Sequence, residues 1–337
     1  MSTIEKNESE TDPSISKFGT LERKKGKTTD SKYQIQQYAD QHQSGFLSLY
    51  ETVFGKTSEK WFQWKYEDNP YVESVPLYVA TKEEEVVGAS PFFALNLRVQ
   101  DRQLLALQPA DAMVHPDHRQ NGLLTRMTER AIEEYTTKEP AMFFNFPNTQ
   151  SKGVFLKHGW EVVDELSTCY RIQNPTRMLG WTPDSLPRTI AEEIGKTVAN
   201  KYHGLRNMPS TSTDSKIDVE RSDTIPVSVF TALYEENIPE KLHLIRNKTF
   251  YHWRFDSPHW TYSAYVAKRN GSPVGGIIVG TKISKGLTIT KLTDIVPLSG
   301  PQKNIDIFAE VLSHIITDFG TADVIVARKG SIADSLF

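Results

Sequence analysis

A five-residue stretch recurs late in the chain, and this recurrence restricts the fold more than any other feature of the sequence. Phe62-Gln63-Trp64-Lys65-Tyr66 corresponds to Tyr251-His252-Trp253-Arg254-Phe255, aromatic for aromatic and cation for cation. Val79-Ala80 then matches Val266-Ala267, and in each copy a Val-Gly pair follows eight residues after that valine, at Val87-Gly88 and at Val274-Gly275. The spacing from tryptophan to the first valine differs by two residues between the copies. Self-similarity of this kind marks a duplicated structural unit. A length of 337 residues accommodates two domains of ordinary size, each with a sizeable core. The recurring aromatics are read as core and domain-junction packing rather than as a ligand box.

The hydrophobic pattern of the first copy mixes helices and strands. Folded sequence is expected from Tyr33, with an edge strand around Ile35. Phe46, Leu49, Tyr50, Val53 and Phe54 share one helical face that Gly55 ends, and Ser58 caps a second helix from Trp61 to Tyr66. Val75 to Thr81 and Val86 to Leu95 pair as strands around the charged turn Lys82 to Glu85, and another hairpin turns near Gln100 to Gln103. Leu104 to Val114 is apolar and short enough for a buried strand; Leu124, Met127, Ala131, Ile132 and Tyr135 then recur at helical spacing. Residues 1–32 are polar, with a basic cluster from Arg23 to Lys27, and are expected to be disordered. Residues 174–226 carry Pro and Ser-Thr clusters and read as a linker around an amphipathic helix from Arg188 to Leu205. The expected domains are therefore 33–173 and 227–337.

Between the central strand and the helix after it lies His115 to Met127, HPDHRQNGLLTRM. Pro116 ends the strand, and the first turn of the following helix offers backbone N–H groups with no intrahelical partner, whose dipoles favour an anion. Gly122 lets the backbone approach that anion; Arg119 and Arg126 can add charge-assisted contacts. A phosphate or pyrophosphate is the ligand this arrangement suits. Arg-x-x-Gly by itself has little specificity, and the same residues would serve as a surface loop capped by glycine.

The surroundings supply the specificity. Ala141 to Phe146 is a second short apolar run, followed by Asn148, Ser151, Phe155, Gly159 and Trp160. Loop and follow-on together resemble the GCN5-related N-acetyltransferases, whose coenzyme loop reads Arg or Gln, two residues, Gly, one residue, then Gly or Ala. In that family the next strand is followed by Asn, a small residue, a Tyr and a Gly-aromatic pair. Here Arg119, Gly122, Asn148, Ser151 and Gly159-Trp160 match, while Leu124 and Phe155 depart. Gly-Leu-Leu variants of the loop occur in the tandem branch resembling enhanced-intracellular-survival acetyltransferases. The resemblance implies an α+β mixed-sheet fold in two copies, and acetyl-CoA or another acyl-CoA as cosubstrate. It places the coenzyme on Val114, Arg119, Gln120, Asn121, Gly122, Leu123, Leu124, Asn148 and Ser151. It also implies a strand N–H, at Met113 or Val114, polarising the thioester carbonyl, and acyl transfer to an amine by direct attack. The family's usual general acid is the Tyr of the later helix; Phe155 has no proton to donate.

An amine acceptor also needs a base. Asp111 stands between Ala110 and Ala112 in the central strand, where desolvation would raise its pKa towards a useful range. Alternatively it accepts hydrogen bonds at a strand irregularity. Gln108 lies near the place where some relatives carry a catalytic Glu, so that role is not filled. In the second copy Leu292 to Pro297 reads as the central strand with Asp294 at the place of Asp111, but LSGPQKNIDIF follows, without Arg-x-x-Gly. Coenzyme binding is thus assigned to the first domain alone. Val324 to Ala327 matches the strand before Asn148, and Ala333 to Phe337 begins the next helix. No final strands follow, so the second copy is expected to be degenerate and incomplete, either because the sequence is truncated or because another chain completes its sheet edge.

Composition excludes more than it selects. A net charge of −3 gives no footprint for nucleic acid. The single cysteine, Cys169, excludes an internal disulfide and a cysteine-rich zinc site, and no metal is expected. No apolar run approaches the ~20 residues that span a bilayer, and no signal-like apolar core begins the chain, so a cytoplasmic location without membrane association is expected. An oligomer is compatible with these features. Two rivals to acetyl transfer stand: an aminoacyl transferase resembling the Fem peptidyltransferases, which usually lack the intact coenzyme loop, and a binding protein that keeps the fold without turnover.

Overall fold

A computed structural model describes residues 32–138, 141–147, 149–157, 159–174, 177, 217–298 and 304–328. The polar tail, the helix expected from Arg188 to Leu205, Asn148 and the segment from Ala333 to Phe337 lie outside the described residues. The chain divides into two compact units. Of the described residues, 32, 147, 149–157 and 159–163 fall in one; those from 33 to 146 and from 164 onward fall in the other. The smaller unit carries helix α4 (Thr149–Lys157), and there the Phe155 ring meets Trp160 edge-on, with centroids 5.1 Å apart.

The larger unit contains two sheets. Its first half runs β1 (Gln34–Gln37), α1 (Gln43–Phe54), α2 (Glu59–Phe62), β2 (Leu77–Lys82), β3 (Glu85–Val99), β4 (Arg102–Pro109), β5 (Met113–Val114), α3 (Leu123–Lys138) and β6 (Ala141–Phe143). The local chemistry is the expected one. Gly55 closes α1 at φ 92°, a conformation that costs a side-chain-bearing residue. The Ser58 hydroxyl accepts from the Trp61 N–H at 3.2 Å. Beyond α2 the chain widens into a π-helical turn, Gln63–Glu67, closed by Asp68 N–H on the Gln63 carbonyl at 2.8 Å. The strands lie in the order β1-β2-β3-β4-β6, with β5 against β3. All pair antiparallel except β4 with β6. Leu123, Met127 and Ala131 of α3 bury one face of the sheet against Tyr78, Val87, Phe92 and Leu107. Phe46, Trp61, Phe62 and Tyr66 bury the other against Leu77, Val79, Ala89 and Met113. Each such side chain contributes about 1.5–3 kcal/mol by leaving water.

The second half repeats the plan. It consists of β8 (Ile217–Ser222), α5 (Val227–Glu235), β9 (His243–Leu244), α6 (Lys248–Arg254), β10 (Thr261–Arg269), β11 (Ser272–Ser284), β12 (Leu287–Val296), α7 (Ile305–Asp318) and β13 (Val324–Arg328). Helix α7 covers one face of its sheet; α5 and α6 cover the other.

Two strands cross between the halves. β7 (Thr168–Ile172), from the chain segment assigned above to the first domain, pairs antiparallel with β13, giving the order β7-β13-β12-β11-β10-β8. The edge that another chain was expected to complete is therefore filled by this same chain. Conversely, β9 pairs with β3 at Leu97 and Arg98. β8, placed by sequence in the linker, is the second sheet's other edge strand, the counterpart of β1. Pairing depends on where a strand can reach a free row of N–H and C=O groups, and neither register nor partner is written in the strand's own residues.

The repeated tryptophans meet. Trp64 Nε1 donates to the Trp253 carbonyl at 2.7 Å and Trp253 Nε1 to the Trp64 carbonyl at 2.8 Å, with the rings stacked 5.9 Å apart at 23°. A residue that contacts its own counterpart reciprocally lies at a local two-fold axis. The junction-packing reading of these aromatics thus acquires a specific geometry.

Candidate active site

The single strand expected from Leu104 to Val114 is broken into β4 and β5. Phe92 pairs with Pro109 and Ala89 with Met113, so three steps along β3 face four along the opposing chain. The extra residue makes a bulge, and Asp111 within it has φ 54°. The second copy bulges at the same place: Ile278 pairs with Asp294 and Val279 with Leu292, one step against two.

This bulge defines Asp111's role in the fold. Its Oδ2 accepts from Lys65 Nζ, in an ion pair, and from the Tyr66 hydroxyl at 2.6 Å. Asp294 is held alike, by Arg246 Nε at 2.8 Å and the Tyr251 hydroxyl at 3.1 Å. The tyrosine comes two residues after Trp64 in one copy and two before Trp253 in the other. Burial, followed by the neighbouring aspartate, pushes both phenols well above their ordinary range. Of the two readings open for Asp111, the geometry displays hydrogen-bond acceptance at a strand irregularity. The half whose sequence lacks Arg-x-x-Gly after this strand keeps the same cluster.

Downstream of the bulge, register decides which amide is available. His115 N–H bonds to the Val87 carbonyl at 2.9 Å and Gly88 stands opposite Val114. In such a non-hydrogen-bonded antiparallel pair, the N–H and C=O of Val114 point away from β3, while those of Met113 point into the ladder. Of the two candidates for polarising a thioester, Val114 alone presents its N–H outward. That side is where β6 runs beside β4, but the parallel pairing stops after Leu107–Phe143 and a last bond from Phe144 N–H to the Leu107 carbonyl at 3.2 Å. Past this point β5 pairs only with β3 among the described residues.

The loop then delivers a cation and a helix end to the same place. Arg119 Nε donates to the outward-facing Val114 carbonyl at 3.3 Å, which anchors the guanidinium beside β5. The Asn121 amide donates to the carbonyls of His118 and Arg119, both at 3.1 Å, and cross-ties the turn. Gln120 and Gly122 adopt φ 65° and 66°. A Cβ on Gly122 would meet no protein atom within 4 Å, so its face of the loop is open to a ligand. Arg126 N–H makes an early bond of α3, to the Gly122 carbonyl at 3.1 Å, so the preceding amides of Leu123 and Leu124 lack intrahelical acceptors. Leu123 is buried beneath, and the Arg126 guanidinium reaches the Tyr33 carbonyl at 3.5 Å. Val114, Arg119, Gln120, Asn121, Gly122, Leu123 and Leu124 are thus brought together. Ser151 lies in α4, in the other compact unit.

One neighbour of this region carries no sequence signal. His259, from the second half, stacks on Trp61 with centroids 5.9 Å apart at 11°. Burial against that ring, then the charges of Lys282 and Lys65, hold its pKa below the usual imidazole value against the opposing pull of Asp111. Lys65, the partner of Asp111, is the other such neighbour; its match to Arg254 in the repeat is the signal the sequence offers for it.

Residues 34–163 match the family described as acetyltransferase (GNAT) domain. A sequence search of the curated proteins found no match. Among solved structures, this chain is similar to a GCN5-related N-acetyltransferase from Anabaena variabilis ATCC 29413, with TM-score 0.59 and 13% identity over 88% of this chain and 65% of that one. It is also similar to a probable N-acyltransferase from Enterococcus faecalis V583, with TM-score 0.62 and 10% identity over 88% and 65% of the two chains. A third is Saccharomyces cerevisiae N-myristoyltransferase with bound myristoyl-CoA and inhibitors, with TM-score 0.57 and 11% identity over 90% and 75%. The chain spans 65% of the length of the first two. At these identities the likeness is one of fold: mixed α/β sheets of GNAT type.

Proposed function

We propose that this chain is an N-acyltransferase that binds acetyl-CoA, or another acyl-CoA, in its first half and passes the acyl group to an amine. The carrying observation is the convergence of the outward Val114 N–H, the Arg119 guanidinium and the open first turn of α3 past the point where the pairing of β4 with β6 ends. In this reading the pyrophosphate takes the amides from Gly122 to Leu124 and the Arg119 charge. The Val114 N–H stabilises the oxyanion formed when the amine attacks the thioester carbonyl.

His259 takes the role of proton acceptor, since Asp111 is engaged in holding the bulge. The amine, once deprotonated, adds to the carbonyl carbon; the nitrogen of the tetrahedral intermediate gives its surplus proton to water, and the intermediate collapses to amide and thiolate. With Phe155 in place of the family's acid, the thiolate takes its proton from water. The tandem arrangement and the Gly-Leu-Leu loop favour the branch resembling enhanced-intracellular-survival enzymes. Acetyl-CoA should raise the melting temperature, by an amount equivalent to about 2.7 kcal/mol at one hundred times Kd, and Arg119→Glu should weaken binding at least about tenfold, the worth of one charge-assisted contact. No stabilisation by acetyl-CoA or myristoyl-CoA at millimolar concentration defeats the proposal. If acyl-CoA binds and no amine releases thiol, the fold serves binding alone, the reading Phe155 favours.

A further inference from the structure

The second half turns a group of cations onto one face of its sheet. Gly280 of β11 stands opposite Lys291 of β12, so Lys282, two residues on, lies diagonal to Lys291 on the same face. Val326 of β13 stands opposite Lys291 on the other side, which puts Arg328 on that face as well. Arg254, at the end of α6, lies close enough to act on Lys291 electrostatically. Lys282 and Arg254 rest against rings, Lys282 4.6 Å from the centroid of Trp260 and Arg254 6.0 Å from that of Trp64. No carboxylate forms an ion pair with Lys282, Lys291 or Arg254 among the described residues, although the chain as a whole carries a net charge of −3. Burial, then Arg328, Arg254 and Lys282, hold the Lys291 pKa below the usual lysine value. Like charges gathered on a half-buried face repel one another, and an anion bound among them would relieve that repulsion.

A chain of contacts links the cluster to the bulge that precedes Val114. Trp260, against which Lys282 rests, follows His259; His259 stacks on Trp61, and Lys65, 5.1 Å from the centroid of that ring, pairs with Asp111. We propose that Lys282, Lys291 and Arg254 form an oxyanion subsite, for a carboxylate or phosphate group, and that the acyl acceptor is an amine bearing such a group. Its anionic end is held by the second half while its amine faces the first. The subsite's link to the acceptor rests on the acyltransferase reading; its affinity for anions does not.

The test separates the two. In Arg119→Glu protein, where the coenzyme loop no longer attracts phosphate, melting temperature is measured with inorganic phosphate and with citrate against sodium chloride of equal ionic strength. Stabilisation by phosphate, citrate or both is expected, and the more effective anion identifies the preferred group. Lys291→Met in the same background should lose that stabilisation, with binding at least about tenfold weaker. It should also melt higher than its parent in anion-free buffer at low salt, because repulsion is relieved; a variant that merely damages the fold would melt lower. Stabilisation no greater than with chloride, or equal in Lys291→Met, overturns the subsite. For the acceptor, wild-type thiol release is compared between amines with and without a carboxylate or phosphate. A preference for the anionic amines that Lys291→Met abolishes supports the assignment; equal rates overturn it. Absence of acyl-CoA binding would defeat the acyltransferase reading while leaving the anion titration to stand by itself.

Discussion

Asp111 and Asp294 show how one residue can hold a shape that another residue uses. Each carboxylate ties the helix before the sheet to a bulge in the strand that follows, through one cation and one phenol. The side chains of Asp294 and Arg246 are only 3% and 13% exposed, so removing one partner leaves an uncompensated buried charge, a change that costs roughly 3–5 kcal/mol. Asp294→Asn should therefore lower stability by about that amount, while acyl-CoA affinity per folded molecule is unchanged. Asp111→Asn should lower stability and acyl-CoA affinity together, because the bulge sets the aim of the Val114 amide. Urea denaturation and calorimetric titration of both variants check this. An Asp111→Asn protein that is as stable as the parent and merely slow would return Asp111 to the role of base. The sequence displayed Asp111 and Asp294 at equivalent places, but the cations holding them lie 46 residues before one and 48 before the other, and distance along the chain gives no hint of such pairing.

Short elements here are set by local chemistry, and these were legible. Gly55, Ser58, the Lys82–Glu85 turn and the face of α1 from Phe46 to Val53 stand where spacing and capping rules put them, while Phe54, expected on that face, is exposed at the helix end. What was not legible is the break between β4 and β5, since a bulge leaves the apolar run intact and changes only the count against a partner strand. The start of α1 carries a testable pH dependence. His42 is buried, and its Nδ1 accepts from the Ala39 N–H at 2.9 Å. Burial holds its pKa below the usual imidazole value. A folded-state pKa lower than the unfolded one means that the unfolded chain binds the extra proton first. Stability is thus fully present above the ordinary imidazole value of about 6.5 and is lost as pH falls through the window below it, at up to about 1.4 kcal/mol per pH unit. His42→Asn keeps an acceptor and removes the proton, so the difference between variant and parent in denaturation midpoint should shrink as pH is lowered from 7 to 5. A constant difference would show that His42 does not titrate in the fold.

At the scale of the molecule, the duplication visible in the sequence described two repeats but not their exchange of strands. β7 leaves the first half for the second sheet, and β9 crosses the other way. A chain split between residues 174 and 217 would give one piece without the partner of β7 and another without the partner of β9. Neither piece alone should show a cooperative melting transition, whereas the two expressed together should copurify and regain one. The uncut protein should melt in a single transition for the same reason. Two separate transitions, or an independently folded fragment 33–174, would contradict this.

The pairing of β7 with β13 also sets a schedule for biosynthesis. Ile172 and Val324, which stand opposite each other, are 152 residues apart. At about 5–20 residues per second, roughly 8–30 s pass between the translation of one and the other. During that interval the segment around Cys169 has been made but has no edge to join, so a ribosome-bound chain halted before Val324 should be cut by protease there and protected after its release at full length.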